Sequence, residues 1–201
     1  ILTTMKQQFI IPILLLLFVN SYSQENSNHD EFRNKGFFNI TKLSYINVSS
    51  AKLETFNPVD GVVATSLNVD KAHAYSLQTI NGYFFSPYFS AGIGVGLDGY
   101  SNPNFNTLPI FLDLRAYFSD EAKSLYLYMD YGTMAKIDGG KNNGSIFNIG
   151  LGYKFPLKDR LMFVTDLGYS YKSISNDGLS IRKSESWVQA KGLILSFGII
   201  F

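Results

Sequence analysis

The sequence predicts an all-β protein, an eight-stranded antiparallel up-and-down transmembrane β-barrel, on three observations. Segments of ten or so residues alternate bulky apolar with small or polar side chains, the period of two expected of strands with one face in an apolar medium. The links between them alternate between short turns and longer polar loops, as in a barrel with its turns on one side of a membrane and its loops on the other. Beyond the N-terminal region no stretch is long and apolar enough for a membrane helix, so a membrane-embedded chain has to cross as strands.

The last strand is the clearest. From Leu193 on, Leu193, Leu195, Phe197, Ile199 and Phe201 fall on one parity, with Gly192, Ile194, Ser196, Gly198 and Ile200 between them. A strand from residue 193 to 201, tilted by ~40° with a rise of ~3.4 Å per residue, covers about 23 Å, close to the ~25 Å apolar band of a membrane barrel.

At the other end, Met5 to Ser23 has the form of a secretory signal, with Lys6, the apolar run Phe9–Val19 and small residues at Ser21 and Ser23 before Gln24. Residues 1–4 lie upstream of that Met. The expected organisation is 1–23 for upstream residues and signal, 24–35 for a polar periplasmic tail, and 36–201 for the barrel. Cleavage falls between Ser23 and Gln24.

The first strand runs from about Phe37 to Val48. Its phase is open, because Phe37, Leu43 and Tyr45 lie on one parity and Phe38, Ile40 and Ile46 on the other. A long polar loop is expected over 49–72. Strand two, His73 to Phe85, puts Tyr75, Leu77, Thr79 and Tyr83 on one face, interrupted by Asn81, and Ser86-Pro87 turns the chain. In strand three, Phe89, Ala91, Ile93, Val95 and Leu97 face out while Ser90, Gly92, Gly94, Gly96 and Asp98 face in.

Strand four places Leu108, Ile110, Leu112 and Leu114 outside and Phe111, Asp113, Arg115 and Tyr117 inside. Strand five places Leu125, Leu127, Met129 and Tyr131 outside and Tyr126, Tyr128 and Asp130 inside. In strand six, Phe147, Ile149, Leu151, Tyr153 and Phe155 oppose Asn148, Gly150, Gly152 and Lys154. In strand seven, Leu161, Phe163, Leu167, Tyr169 and Tyr171 oppose Asp166, Gly168, Ser170 and Lys172, and a polar loop over 173–186 leads to the last strand. Tyr100, Tyr131, Tyr171 and Trp187 are expected in an aromatic belt at the loop rim.

A soluble barrel or sandwich would turn its apolar face inward and its charges to water. Here one face is bulky and apolar, and the other mixes Gly, Ser, Asp, Lys and Tyr. That is a poor soluble core and a workable lumen wall, with every bulky residue turned to lipid.

The signal ending Ser21-Tyr22-Ser23-Gln24, the strands Phe89–Asp98 and Phe147–Lys154, and the terminal Leu193–Phe201 together resemble the small OmpA/OmpX-type eight-stranded barrels, in particular the secreted outer-membrane β-barrel proteins of the Bacteroidetes. The resemblance implies an outer-membrane location in a Gram-negative envelope. It also implies that Leu193, Leu195, Phe197, Ile199 and Phe201 are read by the barrel assembly machinery. Both are statements about architecture.

Composition narrows the chemistry. The chain has no Cys, which excludes a disulfide framework, a thiolate metal site and a lipid-modified N-terminal Cys. Lys and Arg number 17 against 16 acidic residues, and removal of Lys6 with the signal leaves 16 of each. That balance gives no reason to expect nucleic acid as a partner, and no cofactor or metal is expected.

Four sets of residues carry possible function. Gly94-Val95-Gly96-Leu97-Asp98-Gly99 matches G-x-G-x-x-G, but Tyr-Ser-Asn-Pro-Asn follows it and cannot start the helix that a dinucleotide site requires. These glycines are better explained as room for long side chains from neighbouring strands. The inward Asp98, Asp113, Arg115, Asp130, Lys154, Asp166 and Lys172 line either an ion path or a closed polar network. The narrow interior of an eight-stranded barrel favours the network.

His73, near Asp70 and Ser76, suggests a hydrolase-like set. Its His73-Ala74-Tyr75 context departs from the His-x-Ser pair of outer-membrane lipid A deacylases, and no catalytic residue is assigned. Loops 49–72 and 173–186 are candidate surfaces for an envelope or surface protein, and Arg182, Lys183 and Lys191 for lipopolysaccharide phosphates. The expected protein is a monomer with a side-chain-filled lumen and a structural, adhesive or assembly-accessory role. A small-solute channel and a lipid A-modifying enzyme are the alternatives.

Overall fold

The computed structural model describes residues 34–57, 61–102, 104–136, 144–158, 161–175 and 186–201. Ser23, Gln24, Arg182 and Lys183 lie outside them.

Among the described residues nine strands form one antiparallel sheet: β1 Gly36–Asn57, β2 Gly61–Ser66, β3 His73–Ser86, β4 Phe89–Ser101, β5 Phe105–Tyr117, β6 Ser124–Lys136, β7 Gly144–Lys158, β8 Leu161–Ser175 and β9 Ser186–Ile200. Eight of them close into a barrel in the order β1-β3-β4-β5-β6-β7-β8-β9, with β9 returning to β1. Closure removes every edge that would otherwise leave backbone groups unpaired in hydrocarbon. The seam ends on a reciprocal pair: Asn39 N–H donates to Phe201 O at 2.8 Å and Phe201 N–H to Asn39 O at 3.0 Å.

Along β3 to β9 the outer residues are large, apolar and exposed, as at Ile93 (67%), Leu167 (60%) and Leu193 (60%), whereas their alternates are buried. Such a surface is stable only against lipid. Near the short turns the outer rings pack on one another, Phe37 edge-to-face on Tyr83 at 4.9 Å and Phe155 tilted against Phe163 at 5.1 Å. Asn81, which interrupts the outer face of β3, is paired across the ladder with Asn39 and accepts from its Nδ2 at 2.8 Å.

The phase of the first strand resolves into two phases. Phe38, Ile40, Lys42, Ser44, Ile46 and Val48 face the lumen, and Phe37, Leu43 and Tyr45 face out. A bulge between Val48 and Ser50 then shifts the register, so that Ala51 and Leu53 are the inward residues beyond it. No single parity could describe this strand.

Three expectations need correction. Residues 49–72 are not one loop: β1 continues to Asn57 and folds back as β2, which pairs with it from Lys52↔Ser66 to Asn57↔Gly61. Bulky residues are not all turned to lipid, since Ile40, Ile80, Phe111, Ile146 and Met162 are buried inside the barrel. Tyr100 is not in the rim belt; it is 5% exposed, faces inward and stacks on Phe105 at 4.4 Å and 13°. The lumen therefore has an apolar floor and roof around a polar middle. Phe38, Phe84, Tyr117, Met162 and Ile200 lie toward the turns, and Val48, Ala72, Ala74 and Ala190, with Leu67 and Val69, lie toward the loops.

One ladder of the wall is interrupted without a register shift. The β4–β5 ladder pairs Val95 with Ile110 and Asp98 with Thr107, but not the residues between. Pro109 sits there and has no N–H to donate.

Candidate functional site

The seven inward residues identified from sequence are all buried in the lumen: Asp98 2%, Asp113 0%, Arg115 2%, Asp130 0%, Lys154 0%, Asp166 1% and Lys172 3% exposed. An eighth charge joins them, Lys42 of β1, at 1%. With it the described lumen residues include four carboxylates and four cations, equal in number. Sequence reasoning missed Lys42 because the phase of its strand was open. The signal that could have found it was the surplus of one acid among the seven.

Period-two geometry explains how separate strands bring these groups together, since one inward residue from each strand meets the others in a layer across the barrel. In the middle layer, Arg115 and Asp113 lie two apart on one face of β5. Arg115 Nε donates to Asp113 Oδ1 at 2.9 Å and Nη2 to Oδ2 at 3.0 Å, a bidentate pair. The guanidinium lies over the Tyr126 ring at 5.0 Å.

Lys42 Nζ stands 3.7 Å from Asp130 Oδ2 and 3.5 Å from Asp166 Oδ2, and 5.0 Å over the Tyr128 ring. Tyr126 Oη donates to Asp166 Oδ1. Asn148 Nδ2 donates to Asp130 Oδ2 at 3.0 Å.

Toward the loops, Lys172 Nζ donates to Asp98 Oδ2, which also accepts from Thr107 Oγ1 at 3.2 Å; Ser76 Oγ donates to Asp98 Oδ1 at 2.5 Å. Lys172 lies 5.6 Å over the Tyr100 ring.

Toward the turns, Lys154 Nζ donates to Asn34 Oδ1, and Asn34 Nδ2 donates to Pro87 O at 2.7 Å. The tail expected over 24–35 thus ends inside the barrel mouth, with Asn34 1% exposed. Several buried atoms make no hydrogen bond within the protein: both amide atoms of Gln78, Tyr128 Oη, Asp130 Oδ1, Asn148 Oδ1 and Arg115 Nη1.

The inward glycines are the counterpart of this crowding. A Cβ on Gly94 would lie 2.3 Å from the Phe111 ring, and one on Gly152 2.3 Å from the Tyr126 ring. No helix follows Gly94; β4 runs on to Ser101.

His73 and Ser76 do not come together. Three residues apart on a strand, they point to opposite faces. Ser76 is buried against Asp98, while His73 lies among Tyr45 and Tyr75 on the outside, its Nδ1 2.8 Å from Lys71 O. Among the described residues no group of three or more His, Cys, Asp or Glu could hold a metal.

Outside the lumen the loop end is uneven. β1 and β9 pair as far as Thr55↔Ser186, and β2 adds to the other side of β1, while β4 and β5 end at Ser101 and Phe105. At 22 residues, β1 is also far longer than a crossing needs. With a rise of ~3.4 Å and a tilt of ~40° it reaches about 57 Å along the membrane normal, against an apolar band of ~25 Å. On the outer rim beside it, Lys191 Nζ lies 5.3 Å over the Tyr171 ring.

No family description and no curated protein matches the sequence. Solved structures do. The outer membrane protein OprG from Pseudomonas aeruginosa superposes with a TM-score of 0.55 at 15% identity, covering 85% of this chain and 98% of OprG. The outer membrane protein AlkL, solved in lipid bilayers, superposes with a TM-score of 0.51 at 14% identity, covering 89% of this chain and 95% of AlkL. The chain therefore has the fold of eight-stranded outer-membrane β-barrels.

Proposed function

We propose that the protein is a monomeric outer-membrane barrel, exported by a cleaved signal, whose transmembrane part is a closed scaffold and whose working surface lies outside. The role is structural, adhesive or accessory to a surface assembly. The observation that carries this reading is the lumen itself: its four described acids all pair with Lys42, Arg115 or Lys172, and Lys154 bonds Asn34 at the turn end. Apolar clusters lie toward both ends. An ion crossing it would have to break buried pairs, each costly to leave half-made.

Lys191, on the outer rim beside Tyr171, is suited to meet the phosphates of lipopolysaccharide. Leu193, Leu195, Phe197 and Ile199 on the outward face of β9, with Phe201 just after it, are the segment offered to the assembly machinery. The test is single-channel recording from the refolded mature chain in planar bilayers, with insertion checked by heat-dependent gel mobility. Silence from inserted protein supports the closed scaffold, and discrete reproducible steps sink it.

One observation favours a second reading. The unpartnered polar atoms of Gln78, Tyr128, Asp130 and Asn148 would suit a file of water, and hence a narrow path for small solutes. The same recordings decide, because that path would give small steps that disappear when Lys42 and Asp130 are exchanged for neutral residues.

A further inference from the structure

The external extension ends in a strand edge that the barrel does not use. β1 has partners on both sides at the level of residues 52–55, β9 on one and β2 on the other, whereas β2 pairs only with β1 and no described strand lies along its outer edge.

Proteins shield such edges with charges, prolines or bulges. β2, Gly61-Val62-Val63-Ala64-Thr65-Ser66, carries no charge and no proline, and its ladder with β1 has no register shift. Its side chains are apolar in the wrong place for a water-facing hairpin: Val62 is 63% exposed, Val63 47%, and Phe56, paired with Val62, 43%.

The geometry points to this edge as a β-augmentation site for an extended, uncharged segment of an external polypeptide that is not itself embedded in the membrane. The assignment rests on the reading that the working surface lies outside the barrel. What excludes an embedded partner is the position of β2. It lies on the same side of β1 as β3, and in line with it, since β3 pairs with β1 up to Asn47↔His73 and β2 takes over from Lys52↔Ser66.

A strand added ~4.8 Å from β2 therefore stands above β4. That position is vacant among the described residues, because β4 ends at Ser101, level with His73, and turns back through Asn102 and Asn104 to β5. Below it, the wall of this same barrel blocks the way down. A strand descending into a second barrel would collide with β4, and a segment arriving from outside would not.

Composition sets the chemistry of the occupant. On one face it meets Val62 and Ala64, continuing the row begun by Phe56; on the other it meets Val63 and Thr65. β-branched or aromatic residues at alternate positions fit, and like backbone hydrogen bonds on any edge, they need no fixed charge.

The probe is a fluorescein-labelled peptide with the sequence of residues 51–57, the strand already seated on the inner edge of β2, with Lys52→Thr and Glu54→Thr so that it carries no side-chain charge. The full chain is refolded into nanodiscs and its barrel confirmed by heat-dependent mobility. Anisotropy should show saturable binding. Methylating the peptide nitrogens at one alternate set of residues should weaken it by about tenfold or more per hydrogen bond removed, and at the other set by less than about twofold. Val63→Lys, which adds the charge natural edges carry, should weaken binding while leaving mobility and bilayer silence unchanged.

Absence of saturable binding, or equal loss from both methylated peptides, would overturn the proposal. So would dimerisation of the protein through β2 that Val63→Lys abolishes. These outcomes are independent of the bilayer recordings: an open lumen would sink the closed scaffold without touching the parity result.

Discussion

Lys42→Met is the sharpest perturbation of the lumen. The ammonium sits 3.5 Å from Asp166 and 3.7 Å from Asp130. At an effective dielectric of ~20 each contact is worth about 4–5 kcal/mol of attraction. Removing the cation also removes its own desolvation cost, which offsets part of that loss. What remains is a lumen with one uncompensated negative charge, and breaking a buried pair in this way costs about 3–5 kcal/mol.

With a urea slope of about 2 kcal/mol per molar, the unfolding midpoint should fall by about 2 M. The chain has one Trp, Trp187, on β9 near the loop rim, so its fluorescence in vesicles reports unfolding from a single place. Lys42→Met with Asp130→Asn restores neutrality and keeps an amide opposite Asn148, and should recover about half of the loss. A single-variant shift below about 0.5 M would refute the network as a source of stability. So would a double variant no better than the single.

Gly94→Ala should cost about 1–3 kcal/mol by forcing a methyl onto the Phe111 ring, and Phe111→Leu in the same chain should relieve most of it in the same urea assay. Pro109→Val should stabilise the barrel by about 0.5–1.5 kcal/mol by returning a ladder donor, and added protection of the Gly96 and Leu97 region in hydrogen exchange would show where the gain arises. Phe201→Ala retains the backbone pair with Asn39, so refolded stability should fall by no more than about 1 kcal/mol. The heat-modifiable fraction assembled in cells should fall severalfold, and equal assembly of both chains would remove Phe201 from the assembly signal.

The faces of β4 to β9 were legible because each strand obeys a period of two and nearly every lipid-side position is bulky and apolar, even though Phe111, Ile146 and Met162 are bulky on the lumen side. β1 was not, for two physical reasons. Its lumen-facing Phe38, Ile40, Ile46 and Val48 are apolar because they line the ends of the lumen, so hydropathy no longer separates inside from outside. The bulge after Val48 then exchanges the parities within the same strand. Lys42 was lost with that phase.

The hairpin of β1 and β2 was hidden by composition, since Pro58, Gly61 and mixed charges are signs of a loop whether or not the flanking residues pair. His73 and Ser76 illustrate the opposite case. A spacing of three was enough to place them on opposite sides of a strand, and counting parity alone dissolves the apparent triad. Asn34 gave no sign at all, because its burial depends on a mouth built from Pro87 and Lys154, far away in the chain.

Closure through β1 and β9 also constrains how such a protein could change over time. Neighbouring barrel strands run in opposite directions all the way round, so the gain or loss of one strand would leave two neighbours running the same way, or move a chain end across the membrane. Wider relatives of this architecture should therefore arise by duplication of whole hairpins. The glycines that make room for Phe111 and Tyr126 would then be the first positions released from constraint, since a larger circumference no longer needs them small.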